Sequence, residues 1–202
     1  PAVWNTLATA LAEDIHRDAL VQRALATPLE GLASFLGYAK ETMPAVWNTL
    51  ATALAEDIHR DALVQRALAT PLEHLASFLG YAEEMMPEVW RALDLALADA
   101  SCVDALVSNA VGCSTGHLLG FLRYAAPENS ELVFMFTGEA PRTMRLATAL
   151  LDGLSRSPAR ERFIHAALIG RADEFNGLLA YLGKRHDGLY EACQRALADA
   201  QS

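Results

Sequence analysis

The chain has 202 residues and a formal net charge of −9, and 52 % of its residues are hydrophobic while 20 % are charged. This balance is too apolar for an intrinsically disordered segment and allows a sizeable buried core. No apolar stretch reaches about 18 residues, so we expect no membrane span. The negative charge repels phosphate groups, which makes nucleic acid a poor partner.

The first 43 residues recur almost unchanged as residues 44–86. The two copies differ at only three pairs of positions, which are Gly31/His74, Lys40/Glu83 and Thr42/Met85. A fixed period in this range is typical of repeat arrays, in which each unit needs its neighbours to bury a core. The near-identity of the two copies also admits an engineered duplication as an alternative to a recent natural one.

Each copy predicts three helices, named A, B and C here, in chain order. Helix A is expected at Ala2–Glu13, with Pro1 in the first turn, where a missing N–H costs little. Helix B is expected at Arg17–Ala26. Helix C starts in Thr27-Pro28-Leu29-Glu30, which reads as a capping box with Thr27 as the N-cap residue, Pro28 at the first helical position and Glu30 at the third. The apolar stripe that we expect helix C to bury consists of Leu29, Leu32, Ala33, Leu36 and Ala39.

Later segments repeat this plan with increasing divergence. Residues 87–126 form a third repeat, 127–140 an insertion, 141–186 a fourth repeat and 187–202 a partial fifth. We align Leu146-Ala147-Thr148-Ala149-Leu150 with the segment Leu7–Leu11 of the first helix A. The predicted fold is therefore all-α, a single right-handed superhelical α-solenoid of about 43-residue three-helix repeats, similar to armadillo and HEAT arrays.

Pro1 opens a repeat and the chain has no initiator Met, so we expect a piece of a longer protein without a signal peptide. Trp4, Trp47 and Trp90 recur at the repeat period. An aromatic side chain in a fixed register favours packing between repeats over ligand binding.

The segment from Leu75 to Glu84, LASFLGYAEE, resembles the L-x-A-L-S-K-W-P-D block of the SKWP-repeat type III effectors of plant-pathogenic bacteria. In that family the block also ends one helix and leads into an Ala/Leu-rich helix. The Lys-Trp-Pro signature is replaced here by Gly80-Tyr81-Ala82. The resemblance implies a virulence protein secreted into host cells; without it, a cytoplasmic protein is expected. It implies no catalytic residue.

Three sets of residues could suggest chemistry. His16-Arg17-Asp18 and His59-Arg60-Asp61 spell the H-R-D of a kinase catalytic loop, but the metal-binding Asn expected five residues later is Arg23 or Arg66. Cys102, Cys113 and His117 lack the close spacing of zinc ligands. An active site in the diverged part would use His165, Asp173 or His186.

The sequence therefore predicts a non-catalytic scaffold that binds a protein partner, with no cofactor, metal or catalytic residue. Solenoids offer extended surfaces to partners, and by analogy with armadillo arrays helix C would line that surface. A purely structural spacer is the main alternative. The partner-binding candidates on helix C are Glu30, Ser34, Glu41, Glu73, His74 and Ser77.

Overall fold

The computed structural model of the chain describes residues 14–125 and 145–201. The predicted helix A of the first repeat, Trp4, and the predicted insertion at 127–140 lie outside these residues. The described residues form helices joined by short connections and contain no strand. The prediction of an all-α fold is confirmed.

Twelve helices are described, and we number them in chain order. They are α1 (Asp14–Ala26), α2 (Leu29–Thr42), α3 (Pro44–Leu54), α4 (Asp57–Ala69), α5 (Leu72–Met85), α6 (Pro87–Leu97), α7 (Ala100–Gly112), α8 (Thr115–Ala125), α9 (Arg145–Leu154), α10 (Ala159–Ile169), α11 (Ala172–Arg185) and α12 (Asp187–Gln201). Helices α3, α6, α9 and α12 correspond to helix A, α1, α4, α7 and α10 to helix B, and α2, α5, α8 and α11 to helix C.

The starts of the helices recur with the sequence period. Helices α3, α4 and α5 begin at 44, 57 and 72, and α6, α7 and α8 begin 43 residues later at 87, 100 and 115. The next C helix, α11, begins at 172, which is 57 residues after α8. This longer step exceeds the period by 14 residues, the length of the insertion predicted at 127–140.

Burial follows the same register in the A helices. Three positions on one face of each helix are buried, one helical turn apart: Val46, Leu50 and Leu54 in α3, Val89, Leu93 and Leu97 in α6, and Leu146, Leu150 and Leu154 in α9. Leu150 therefore corresponds to Leu50, so the alignment of Leu146–Leu150 with the first helix A is wrong by one helical turn. Repeated Ala and Leu match at both offsets, and burial distinguishes them.

The C helices begin differently from the predicted capping box. Pro28 is the N-cap residue of α2 and makes no side-chain cap. The Thr27 hydroxyl instead donates backwards to the carbonyl of Arg23 at 2.9 Å, and Thr70 repeats this bond to Arg66 at 2.7 Å. The threonine therefore closes the end of helix B and does not start helix C, a common use of Thr hydroxyls near helix ends.

The described residues pack into two compact units. The N-terminal unit takes those within 1–70 and 77–93, and the C-terminal unit those within 71–76 and 94–202, so the division falls inside α5 and α6. In the N-terminal unit α1 packs on α3 and α4, and α2 packs on α3. In the C-terminal unit α7 packs on α9 and α10, and α8 packs on α9 and α11.

Both units therefore repeat one scheme, in which helix B of one repeat contacts helices A and B of the next, and helix C contacts the next helix A. The predicted apolar stripe of α2 is buried at Leu29, Leu32, Leu36 and Ala39. Ala33, which is also part of the predicted stripe, is half-buried.

No single helix of the described chain is long and apolar enough to cross a membrane. Helices α6 and α7 meet those criteria only when they are joined across a bend.

Candidate functional site

The outward face of α2 carries three of the predicted partner-binding residues. Glu30, Ser34 and Glu41 are all exposed and fall within about 40° of one another around the helix axis, opposite the buried leucines. The Ser34 hydroxyl donates to the carbonyl of Glu30 at 3.0 Å, which holds it against the helix. We call Glu30, Ser34 and Glu41 the acidic face of α2.

The same positions on α5 are Glu73, Ser77 and Glu84. Ser77 and Glu84 are exposed and belong to the N-terminal unit, whereas Glu73 and His74 are half-exposed and belong to the C-terminal unit. The six predicted residues are therefore distributed over both units. Within the N-terminal unit, the acidic face of α2 is the group of them that lies together on one helix.

In the C-terminal unit Glu73 lies between two histidines. One carboxylate oxygen of Glu73 contacts Nδ1 of His117, and the other lies 3.7 Å from Nε2 of His74. Each pair is ionic when the histidine is protonated. His74 and His117 occupy equivalent positions of their repeats, so replacing Gly31 with histidine in later repeats places imidazoles beside this carboxylate.

Trp47 lies at the centre of a polar contact in the N-terminal unit. Its indole N–H donates to the hydroxyl of Tyr81 at 3.0 Å, and Nζ of Lys40 lies 5.8 Å from the centre of its ring. Burial raises the pKa of Tyr81, which the hydrogen bond from Trp47 opposes and the charge of Glu84 reinforces. Trp47 and Trp90 are half-buried, so the recurring tryptophan has a packing side and an accessible side.

The H-R-D motifs lie inside helices α1 and α4 rather than in a loop. Arg17 pairs with Glu56, and Arg60 pairs with Asp57 at 2.8 Å. Asp18 and Asp61 are exposed on the helix surface. These contacts are those of solvated helix residues.

The residues considered for a diverged active site have separate surroundings. His165 is exposed on α10, and Asp173 pairs with Arg171 at 3.0 Å. His186 lies between α11 and α12, where Nδ1 accepts from the N–H of Leu189 at 3.2 Å and Nε2 lies 3.6 Å from Asp152. His186 therefore makes a hydrogen bond within the connection between α11 and α12.

The possible metal ligands in the sequence are Cys102, Cys113 and His117. In the part of the chain that the structure describes, no cluster of three or more His, Cys, Asp or Glu side chains is arranged to hold a metal ion. Burial raises the pKa of Cys113 to about 11, and the charge of Glu73 adds to the rise. Burial likewise raises the pKa of Cys193 to about 11. Both thiols are therefore protonated at neutral pH.

We expect Cys113 and Cys193 to resist alkylation in the folded protein. At pH 8 only about one in a thousand of either thiol is the reactive thiolate when the pKa is about 11. Iodoacetamide labelling followed by mass spectrometry should be slow at both residues and speed up as the pH approaches 11. Equal labelling rates in native buffer and in urea would contradict the burial of these two thiols.

The same pKa values affect stability. Because the folded pKa of each thiol lies above the ordinary 9.0, the stability contributed by these thiols is lost as the pH rises from 9 towards 11.

Two features of the described residues were missed from the sequence. Phe35 and Tyr38 are exposed beside the acidic face of α2, although the repeat pattern gives no sign that they differ from Phe78 and Tyr81. Asp94 is buried in α6. The sequence does carry a sign of this, since Asp94 places a carboxylate inside the Leu93–Leu97 apolar stripe, where the second repeat has Ala51.

Comparisons with known protein families, curated proteins and solved structures find no match to the chain.

Proposed function

We propose that the chain is a non-catalytic repeat scaffold that binds a basic protein partner through its C helices. The observation that carries the proposal is the acidic face of α2, where Glu30 and Glu41 are exposed on one side of a helix whose opposite side is buried. Carboxylates in this arrangement attract cationic side chains and steer their approach. The net charge of −9 acts in the same direction.

We extend the proposal to the architecture, a superhelical α-solenoid of three-helix repeats. It is supported by helix starts that recur every 43 residues and by the packing scheme that both compact units share. Such an array would present its C helices in series as one extended surface.

A scaffold is favoured over an enzyme because the residues considered for catalysis have separate surroundings. His165 is exposed on α10, Asp173 pairs with Arg171, and His186 accepts from a backbone N–H. The resemblance to SKWP-repeat effectors further supports a segment of a larger bacterial protein that acts inside a host cell.

The experiment compares two double variants as baits for host proteins. Glu30→Lys with Glu41→Lys reverses the acidic face of α2. Asp18→Lys with Asp61→Lys makes the same change of net charge on exposed B-helix positions of α1 and α4. A protein captured by the unmodified chain should be retained by the B-helix variant and lost by the α2 variant.

The captured protein is then purified and its dissociation constant measured for all three chains. We expect the α2 variant to bind at least about tenfold more weakly, since a tenfold change needs only about 1.4 kcal/mol, and added salt should weaken the unmodified complex. If no captured protein distinguishes the two double variants, the chain acts as a spacer and the proposal is wrong.

A further inference from the structure

One tyrosine recurs at the same position of all four C helices. It is Tyr38 in α2, Tyr81 in α5, Tyr124 in α8 and Tyr181 in α11. Tyrosine combines a large apolar ring with a hydroxyl that needs a hydrogen-bond partner when it is buried. The recurrence therefore points to one contact that each repeat can make.

Tyr181 shows what this contact is, because α11 packs on α8 in the C-terminal unit. The Tyr181 side chain is 0 % exposed, and its hydroxyl donates to the carbonyl of Leu122 at 3.1 Å. One turn earlier, a Cβ on Gly177 would lie 2.9 Å from Leu119, so the small residue permits close approach. Leu178, between them on the same face, is buried.

Tyr81 makes the related contact in the N-terminal unit. A Cβ on Gly37 of α2 would lie 3.7 Å from the Tyr81 ring, which is ordinary van der Waals distance. In both units, the tyrosine of a C helix therefore faces the C helix of the preceding repeat.

The equivalent face of α2 consists of Gly31, Ser34, Phe35 and Tyr38. Tyr38 is 61 % exposed and Phe35 is 37 % exposed, whereas the residues equivalent to Phe35, namely Phe78, Phe121 and Leu178, are at most 1 % exposed. No described residue forms a hydrogen bond with the Tyr38 hydroxyl. The face has the composition of a packed C-helix interface and, in the described chain, no C helix upon it.

We propose that this face of α2 is a docking site for the C helix of a further repeat of the same kind. Tyr38 donates to a main-chain carbonyl near the end of that helix, as Tyr181 does to Leu122, and Phe35 fills the place that Leu178 fills in α11. The small residues Gly31 and Ser34 admit the approach that Gly177 permits. The inference follows from continuity with the α8–α11 interface. It uses neither Glu30 nor Glu41, the carboxylates proposed to bind the basic partner, and Ser34 is the one residue that the two faces share.

The test adds a repeat and measures the accessibility of Tyr38. A copy of residues 44–86 is fused before Pro1, and nitration of each tyrosine by tetranitromethane is followed by mass spectrometry. We expect Tyr38 to react at least about tenfold more slowly in the extended chain, as for other groups protected by local packing. Tyr181 should remain protected in both chains. Ala76→Arg made only in the added copy, at the position equivalent to Leu119, should restore the reactivity of Tyr38.

Unchanged nitration of Tyr38 in the extended chain overturns the proposal, as does protection that survives Ala76→Arg. An extended chain in which Tyr181 becomes reactive also contradicts it, because a repeat that docks does not unfold its neighbours. A second measurement needs no added repeat. Tyr38→Glu should leave the urea midpoint of the chain unchanged, while Tyr181→Glu lowers it. An equal loss for both would show that the α2 face is already filled.

Discussion

Asp94→Ala should destabilise the chain by about 2–4 kcal/mol, since it removes a cap and leaves two amides without an acceptor. Asp94 is buried, and its two carboxylate oxygens accept from the N–H groups of Arg145 and Leu146 at 3.3 and 3.1 Å. These amides open α9, where the first turn of a helix has no internal acceptor. The negative charge also interacts favourably with the positive end of the helix dipole.

Asp104→Ala is the matched control, since it makes the same chemical change at an exposed position of α7 in the same compact unit. An exposed substitution without a special contact should fall within about 0.5 kcal/mol of the unmodified chain. Urea unfolding followed by circular dichroism gives both values. If the two variants were equally stable, the cap that Asp94 provides to α9 would be refuted.

Phe78→Ala should cost about 3–5 kcal/mol, while Phe35→Ala should cost about 1–2 kcal/mol. The two phenylalanines occupy the identical segment LASFLGYA, at residues 75–82 and 32–39. Phe78 is 0 % exposed and Phe35 is 37 % exposed. Within this segment the side chains are the same at both sites, and one turn earlier Gly31 precedes Phe35 where His74 precedes Phe78. The difference therefore reports mainly tertiary packing.

The two phenylalanine variants control each other, because both lie in the N-terminal compact unit and change the same number of atoms. Their free energies of unfolding are measured by urea titration under identical conditions. A difference below about 0.5 kcal/mol, the usual scale of surface effects, would mean that the two copies of the segment share one environment.

The helical class and most helix limits could be predicted from the sequence, because Ala and Leu recur at helical spacing. Helices α3 and α6 begin at Pro44 and Pro87, as proline in a first turn suggests. Leu29, Leu32 and Leu36 are buried as the apolar stripe predicts. These features depend on local patterns that one helix carries by itself.

Features that depend on neighbouring repeats could not be predicted. Phe35 and Phe78 have the same local sequence, so only tertiary contacts can make one exposed and the other buried. Thr27 satisfied a capping pattern, yet its hydroxyl bonds the preceding helix. Of the candidate site residues, Glu30, Ser34 and Glu41 share one exposed face of α2 because of helical periodicity, which a sequence displays. The contact of Glu73 with His117 requires two repeats to meet, which a sequence does not display.

The proposed function depends most directly on the ratio of two dissociation constants for the captured partner. One is measured for the chain carrying Glu30→Lys and Glu41→Lys, and the other for the chain carrying Asp18→Lys and Asp61→Lys. Because the net charge is the same in both, the ratio isolates the acidic face of α2 from long-range attraction. We expect a ratio of at least about ten, and a ratio of one would contradict the account.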